Sequence, residues 1–273
     1  MTSSTHKHYH LHNIDSEKVV ERYFSTTSDI LMLDEIARFP AEELFREAKE
    51  GLIGGDHLID ISAGPSVIQL FPIFKFFKEI SILEFSDICI KDLQKWVNSH
   101  EDAFDWRTHK HFFGKHEMHL QVVKRKGASS TKGKGESEND LRRRIKHILK
   151  CDFSKANPTD PVVLPKADCV LSLYVTHMVS EDHEVYRSNI KKIASMLKLG
   201  GRMLLFGGYN GAFFTVGEEK YHLLGCGEKF IKEALKDAGL ATERYEVRKS
   251  KINNEMASYD HLFFIRAVKK KDI

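Results

Sequence analysis

Two acidic residues lie at the ends of apolar runs that have the composition of buried strands. Asp60 belongs to the run HLIDIS, and Glu84, 24 residues later, belongs to EISILEFS, where Phe85 and Ser86 follow it. In an open parallel sheet, ligands bind outside the carboxyl ends of the strands, and an acid there can accept both hydroxyls of a ribose. Glu84 is therefore a candidate ribose ligand, and the alternative is an ordinary surface carboxylate.

The loop after the first run does not have the glycines of a dinucleotide site. That fingerprint requires three glycines at fixed offsets, whereas Ser62, Ala63, Gly64 and Pro65 include only one. Small residues let a ligand approach the backbone, but Pro65 removes an N–H donor and Asp60 adds negative charge, which disfavours phosphate. S-adenosylmethionine combines a ribose with a positive sulfonium, so it is the predicted cofactor.

Two further segments extend this predicted site. Asp152 and Phe153 end the run HILKCDF, where an acid and a ring could hold adenine; the alternative for Asp152 is a helix N-cap. The run ADCVLSLYVTH brings Ser172, Leu173 and His177 toward the reactive end of the cofactor. A histidine titrates near neutrality and can accept a proton, so His177 is the candidate catalytic residue. The alternative is a buried histidine with satisfied hydrogen bonds.

These residues need a parallel sheet to bring them together. From residue 57 onward, apolar runs alternate with helical stretches, the first of them a helix predicted from Ser66. This pattern is typical of an α/β fold with helices on both faces of the sheet. The last helix, near Gly239, is followed by two strand-like segments, which predict a terminal hairpin. Residues 15–52 have helical spacing, with Pro40 opening the second helix, and predict a lid.

Composition excludes several classes of protein. A net charge of +3 over 273 residues weighs against a dedicated nucleic-acid binder. Four cysteines without a C-x-x-C pair indicate neither a zinc site nor disulfides, so the predicted location is the cytoplasm. No apolar run reaches the length of a membrane span, which is about 18 residues. The chain is predicted to be one domain, residues 1–273.

Two histidine-rich or basic segments are assigned no chemistry. Residues 1–14 predict a mobile tail, with metal binding by its alternate histidines as the alternative. Residues 107–148 predict an insertion with a basic loop and then a helix capped by Asn139 or Asp140. The loop predicts a solvated surface, with phosphate contact as the alternative, and its HEMH does not have the spacing of a zinc protease. The side chains concerned are His6, His8, His10, His12, His109, His111, His116, His119, Lys124, Arg125, Lys126, Lys132 and Lys134. No metal is predicted.

The motifs together resemble one enzyme family. LIDISAGPSVIQL, FKEISILEFSD, EDAFDW, ILKCDF, ADCVLS and VGEEKY occur in the order and spacing of the amine methyltransferases that act on nicotinamide, phenylethanolamine and indolethylamines. The resemblance covers about residues 16 to 269 and implies a seven-stranded class I (Rossmann-like) methyltransferase sheet with an N-terminal helical lid. It also implies a cytosolic, usually monomeric enzyme that uses S-adenosylmethionine.

The resemblance implies roles for individual residues around the cofactor. Ser62 and Ala63 would line its methionine portion, Glu84 its ribose, and Asp152 with Phe153 its adenine. Where the family has tyrosines over the cofactor, this chain has Val19, Phe24 and Ile68, and Cys89 replaces an asparagine. The predicted cofactor contacts are Phe24, Asp60, Ser62, Ala63, Gly64, Ile68, Glu84, Phe85, Ser86, Cys89, Asp152, Phe153, Ser172 and Leu173.

The substrate side departs further from the family. Gly207 and His177 stand where relatives carry acids, and Leu223 replaces a serine of the nicotinamide pocket. An aromatic, acid-poor pocket predicts a small aromatic amine of the indolethylamine type. The alternatives are a thioether or pyridine substrate, or cofactor binding with weak or lost catalysis. The predicted substrate contacts are Val19, Tyr174, His177, Gly207, Tyr209, Phe213, Leu223 and Asp260, with Phe214 and Tyr259 as further candidates for an aromatic wall.

Overall fold

Seven strands form one sheet in the computed structural model, which describes residues 6–12, 14–25, 28–106, 132–252 and 255–272. The strands are β1 Gly55–Asp60, β2 Phe77–Glu84, β3 Ile145–Lys150, β4 Ala167–Leu173, β5 Leu197–Tyr209, β8 Leu240–Lys249 and β10 His261–Lys269. Their order is β3-β2-β1-β4-β5-β10-β8. The predicted seven-stranded α/β sheet is confirmed.

The strand order reverses between β1 and β4. Strands β1 to β5 pair in parallel, and Asp60 lies beside both Ile82 of β2 and Leu171 of β4. Strand β10 runs antiparallel between β5 and β8, which confirms the terminal hairpin. A crevice forms where strand order reverses, so the carboxyl ends of β1 and β4 are where a ligand is expected.

Helices cover both faces of this sheet. They are α1 Ser16–Phe24, α2 Ile30–Leu33, α3 Phe39–Lys49, α4 Asp87–Val97, α5 Lys132–Arg144, α6 Val175–Met178, α7 His183–Ser195 and α8 Glu228–Asp237. Neighbouring residues of β1 enter different cores, with Leu58 packing in the core of α3 and α4 and Ile59 in that of α7 and α8. This alternation follows from the two-residue period of a strand. No helix in the described ranges is long and apolar enough to cross a membrane.

The N-terminal segment packs against the fold. A second sheet, which the sequence did not predict, contains β6 Phe213–Val216, β7 Glu219–His222 and β9 Ala257–Ser258 in the order β7-β6-β9. Lys7 forms a parallel bridge with Tyr221 at the edge of β7, and Tyr9 and Ile14 are each 1% exposed. The prediction of a mobile, solvated tail is wrong for these residues, because the open edge of β7 supplies backbone partners and the cavity buries Tyr9.

Two local predictions also differ from the structure. The helix predicted from Ser66 is replaced by 3-10 turns over Ile68–Leu70 and Phe74–Phe76. The Ser66 hydroxyl accepts the Ile68 N–H, and such a local bond competes with helix formation. Helix α5 begins at Lys132, so Asn139 and Asp140 lie inside it rather than at its cap. His109, His111, His116, His119, Lys124, Arg125 and Lys126 lie outside the described residues.

Candidate active site

Glu84 ends β2 with a completely buried carboxylate. It accepts the Ser86 N–H at 2.7 Å, the Gly64 N–H at 3.0 Å and the Tyr9 hydroxyl at 2.7 Å. Burial raises the pKa of this carboxyl from 4.5 to about 7. The hydroxyl that Glu84 accepts from Tyr9 is the kind of donor that a ribose would provide, so this position fits the sugar of a nucleoside cofactor.

Tyr9 joins the N-terminal segment to this position. Its hydroxyl also accepts the Gly64 N–H at 2.8 Å, and its ring lines the central cavity. Sequence reasoning missed Tyr9, although it is the one aromatic residue in an otherwise polar, histidine-rich stretch. Because it lies 75 residues from Glu84 in the chain, only the fold brings the two together.

Asp60 and Ser62 hold the loop after β1. The carboxylate of Asp60 accepts the Ser62 hydroxyl and, at 2.9 Å, the Gln69 amide, while burial raises its pKa from 3.8 to about 6. Neither Asp60 nor Ser62 lines the cavity, whereas Ala63 and Gly64 do. Gly64 has φ +90°, a conformation that favours glycine. Asp60 and Ser62 therefore shape the loop, and their contact with a cofactor stays a prediction.

The residues predicted around the adenine lie in two stretches of the chain, one after β2 and one after β3. The rings of Phe85 and Phe153 meet edge to face with centroids 5.1 Å apart. Cys89 is buried near Glu84, and burial raises the pKa of its thiol. The carboxylate of Asp152 accepts the Ser154 N–H and hydroxyl, bonds that lower its pKa. Asp152 therefore caps its own turn, and the alternative of a helix N-cap is wrong.

A cavity of about 140 Å³ lies between the helical lid and the ends of β1 and β4. The described side chains that line it are aliphatic, aromatic or neutral polar, and no Asp, Glu, Lys or Arg is among these described residues. The structure brings together in this lining Val19, Phe24, Ala63, Gly64, Ile68, Leu173, Tyr174, His177 and Leu223 from the predicted set, with Phe214 and Tyr259 from the aromatic wall. The cavity is thus an apolar enclosure beside the predicted cofactor position.

His177 lies in this lining with one free nitrogen. Its Nδ1 is 3.2 Å from the Leu224 carbonyl oxygen, so Nδ1 carries the proton and Nε2 is an acceptor. Nε2 is buried without a hydrogen-bond partner in the described part of the chain. Burial lowers the pKa of His177 from 6.5 to about 4. The expectation that it titrates near neutrality is therefore wrong, because desolvation disfavours the charged ring.

Gly207 and Tyr209 were predicted to contact substrate, and the structure places neither in the lining. An ideal Cβ on Gly207 would lie 2.5 Å from His177 Nε2 and 2.6 Å from Phe263 Cζ, whereas Gly208 lines the cavity. Tyr209 stacks on Phe263 with centroids 4.7 Å apart. Side chains alternate between the faces of a strand, so the residues that flank Gly208 point away. Gly207 instead leaves room for the ring of His177.

The other two substrate predictions are corrected in the same way. Phe213 packs against the His6 ring and the Lys220 ammonium, outside the lining. Asp260 is exposed and accepts the Asn210 amide at 2.8 Å. Ser172 is buried beneath the lining, where its hydroxyl lies 2.9 Å from that of Thr176. Neither Phe213 nor Asp260 meets the cavity, because β6 and the turn before β10 direct them outward.

Sequence reasoning missed Tyr23 and Gln69 in the lining. Tyr23 follows Val19 by four residues in α1, a spacing that places both on one helix face and could have identified it. Gln69 lies within the 3-10 turn that the sequence did not predict, so no helical pattern could have identified it.

The histidines of the N-terminal segment cluster around His8 and His222. No group of three or more His, Cys, Asp or Glu in the described ranges is arranged to hold a metal ion.

The strand order and the acid at the end of β2 define a class I methyltransferase fold. A model of the NNMT/PNMT/TEMT family matches residues 3–270, and the chain belongs to this family. It is an S-adenosylmethionine-dependent small-molecule N-methyltransferase.

Individual relatives agree with this membership. The chain is 30% identical to the nicotinamide N-methyltransferase of Sus scrofa, covering 95% of this chain and 94% of that one. It is 28% identical to the indolethylamine N-methyltransferase of Mus musculus, covering 90% and 89%. A solved S-adenosylmethionine-dependent methyltransferase from Clostridium acetobutylicum shares the fold, with a TM-score of 0.56 at 11% identity, over 93% of this chain and 98% of that one.

Proposed function

We propose that this enzyme methylates the nitrogen of a small aromatic amine of the indolethylamine type. The observation that carries the proposal is the cavity, whose described lining is mostly aromatic and aliphatic and includes no Asp, Glu, Lys or Arg. An alkylamine in water has a pKa of about 10.4, and an apolar enclosure lowers this pKa and so favours the neutral, nucleophilic form. Leu223 in the lining also offers no hydroxyl to the carboxamide of nicotinamide.

The cofactor, when bound, supplies an electrophilic methyl group that passes to the amine nitrogen while the C–S bonding electrons return to sulfur. Glu84 would accept the ribose hydroxyls, and Ala63 and Gly64 would lie against the methionine portion. His177 Nε2 would accept an amine N–H and so direct the nitrogen lone pair toward the methyl group. The lid residues Val19 and Phe24 would exclude water from the reacting atoms.

A second candidate substrate is a neutral thioether. Since no Asp, Glu, Lys or Arg is among the described lining residues, the cavity accommodates a sulfide as well as an amine. A sulfide also needs no deprotonation before it attacks. The apolar Val19, Phe24 and Ile68 favour a third outcome, in which the cofactor binds weakly and turnover is slow. Each phenolic hydroxyl absent from the cofactor position removes a hydrogen bond worth about 0.5–1.5 kcal/mol.

The proposed function is tested by transfer of a labelled methyl group from S-adenosylmethionine. We expect turnover of tryptamine or serotonin, with nicotinamide at least tenfold slower, roughly the cost of one unpaired polar group. Phenylethanolamine and a dialkyl sulfide complete the panel, and cofactor binding is measured by calorimetry in parallel. Turnover of nicotinamide alone would contradict the proposal. Cofactor binding without any product would favour the weak or lost catalysis of the third outcome.

Replacing His177 by alanine should lower kcat/KM for the amine by roughly tenfold, the value of one lost hydrogen bond. Because its pKa is lowered to about 4, His177 stays neutral from pH 6 to 9, and the loss should be constant over that range. The measurement is kcat/KM against pH for the wild type and the variant.

The matched control is His183→Ala, which removes an exposed histidine whose ring binds the Gly225 carbonyl. A loss that shrank as the pH fell from 7 to 6 would show that His177 acts as a titrating base instead, because protonation removes the function of a base.

We also propose that the enzyme acts as a cytoplasmic monomer on a small molecule alone, without a nucleic-acid or membrane partner. Cys89, Cys151, Cys169 and Cys226 are all free thiols, which is consistent with a reducing compartment. Size-exclusion chromatography with light scattering tests the oligomeric state.

A further inference from the structure

A buried carboxylate lies directly behind the wall of the cavity. Glu35, 5% exposed, is part of a π-helical turn over Asp34–Arg38 in the lid. The next residue, Ile36, lines the cavity, and so does Ala37. Single π-helical turns interrupt the regular ladder and occur frequently at functional sites. Glu35 therefore directly precedes two residues of the cavity wall in the same helical turn.

The carboxylate of Glu35 is held by neutral donors. It accepts the Ser250 hydroxyl at 3.0 Å, the Lys251 backbone N–H, and the Tyr259 hydroxyl at 3.0 Å. No Lys, Arg or His among the described residues forms an ion pair with it, and the nearby Arg248 pairs with Glu42 and Glu43 instead. Burying a charge without a counter-charge is costly. Stability alone does not explain a glutamate here.

Tyr259 connects this carboxylate to the cavity that it lines. Because its phenolic proton is directed to Glu35, the lone pairs of Oη remain available to a ligand. Gly208 makes room for this ring, since an ideal Cβ there would lie 2.9 Å from Tyr259 Cβ and Cγ. Burial and the neighbouring Glu35 charge raise the pKa of Tyr259, which therefore stays protonated.

Tyr174 also forms a hydrogen bond with Glu35. Its hydroxyl donates to the Glu35 carbonyl oxygen at 2.8 Å, and its φ of +62° is uncommon for a residue other than glycine. Such strain persists where the surrounding structure enforces it and often marks a functional site. Two tyrosines of the cavity wall are thus anchored on one residue of the lid.

We propose that Tyr259 accepts an N–H of the substrate amine, and that Glu35 is the positioning residue that orients and polarises Tyr259. This inference rests on the proposed function and extends it. As the methyl group arrives, positive charge develops on the nitrogen, and the Glu35 carboxylate, one phenol away, stabilises it electrostatically. The cavity then discriminates an amine from a molecule of the same shape that has no N–H, although no Asp or Glu is among the described residues of its lining.

The test compares the binding of tryptamine with that of 3-propylindole, in which a methyl group replaces the amine. Dissociation constants are measured by calorimetry with S-adenosylhomocysteine present. The wild type should bind tryptamine roughly tenfold more tightly than 3-propylindole, the value of one hydrogen bond to a polarised acceptor. Glu35→Gln and Tyr259→Phe should each bring this ratio close to one. The double variant should lose nothing further, because the two residues act in series.

The matched control is Glu42→Gln, which removes a partly exposed carboxylate of α3 in an ion pair with Arg248. The inference is overturned if the ratio is unchanged in both single variants, or if both ligands lose affinity equally. Tyr259→Phe keeps the test decisive if Glu35→Gln does not fold. Wild-type turnover of tryptamine is recorded on the same samples. Its absence overturns the proposed function, whereas normal turnover with an unaltered ratio overturns only the role of Glu35.

Discussion

Replacing Glu84 by glutamine is expected to weaken S-adenosylmethionine binding by about 100-fold, since hydrogen bonds to a charged acceptor contribute about 1.5–3 kcal/mol each. Glu84 is the one acid whose carboxylate is buried at the end of β2 and accepts a hydroxyl there, from Tyr9. A glutamine can accept with one oxygen only, so it cannot hold both hydroxyls of a ribose. The dissociation constants are measured by calorimetry.

The same substitution should stabilise the protein at high pH. The pKa of Glu84 is about 7 in the folded state, whereas the ordinary pKa of a glutamate, which applies to the unfolded chain, is 4.5. Between these values the folded state binds more protons, so stability falls as the pH rises from about 4.5 through 7. Above pH 7 the buried charge lowers the free energy of unfolding by at most about 3 kcal/mol. The uncharged glutamine causes no such loss of stability. The midpoint of thermal unfolding of Glu84→Gln should therefore exceed that of the wild type at pH 8 and not at pH 4.5.

Glu79→Gln is the matched control, since Glu79 lies on the same strand, away from the ligand edge. It should leave both the dissociation constant and the pH dependence of unfolding unchanged. A wild-type dissociation constant in Glu84→Gln would show that the ribose does not bind at Glu84. A lower unfolding midpoint at pH 8 would show that its buried hydrogen bonds outweigh the cost of its charge.

Gly207→Ala is expected to destabilise the fold by about 1–3 kcal/mol, the usual cost of overpacking a core. The added methyl group would lie 2.5 Å from His177 Nε2, so the imidazole must turn away from its Leu224 contact. Amine turnover should fall at least as far as in His177→Ala. Urea unfolding measures the first effect and steady-state kinetics the second.

A double-mutant cycle locates the clash. His177→Ala removes the atom that the new methyl group meets, so the double variant should regain part of the stability lost by Gly207→Ala, the remainder being due to Phe263. Gly227→Ala is the control, because an ideal Cβ there meets nothing within 4 Å. Additive losses in the cycle would exclude His177 as the partner of Gly207. The result would also explain why a side chain larger than that of glycine does not fit beside His177.

Much of the fold could be predicted from local patterns. The runs around Leu58, Ile82 and Val170 are continuous and apolar because helices bury these strands on both faces, and that composition is visible in the chain. The turn after Ser66 was predicted wrongly because a serine hydroxyl and the Gln69 amide hold it in 3-10 geometry. Propensity does not register the Gln69 bond, since its partner, Asp60, belongs to another element.

The sequence by itself determined the sheet, its ligand edge and the acid at the end of β2, because each depends on the spacing of residues within one or two neighbouring elements. Only the tertiary structure decided which side chains meet the cavity. Gly208 faces the cavity and Gly207 does not. Successive residues of a strand alternate between its two faces, and what packs on each face decides which residues point to the cavity. Tyr9 reaches Glu84 across 75 residues, and Tyr259 reaches Glu35 across 224. Contacts at such separations leave no periodic trace in the chain, since they arise only when distant elements pack together.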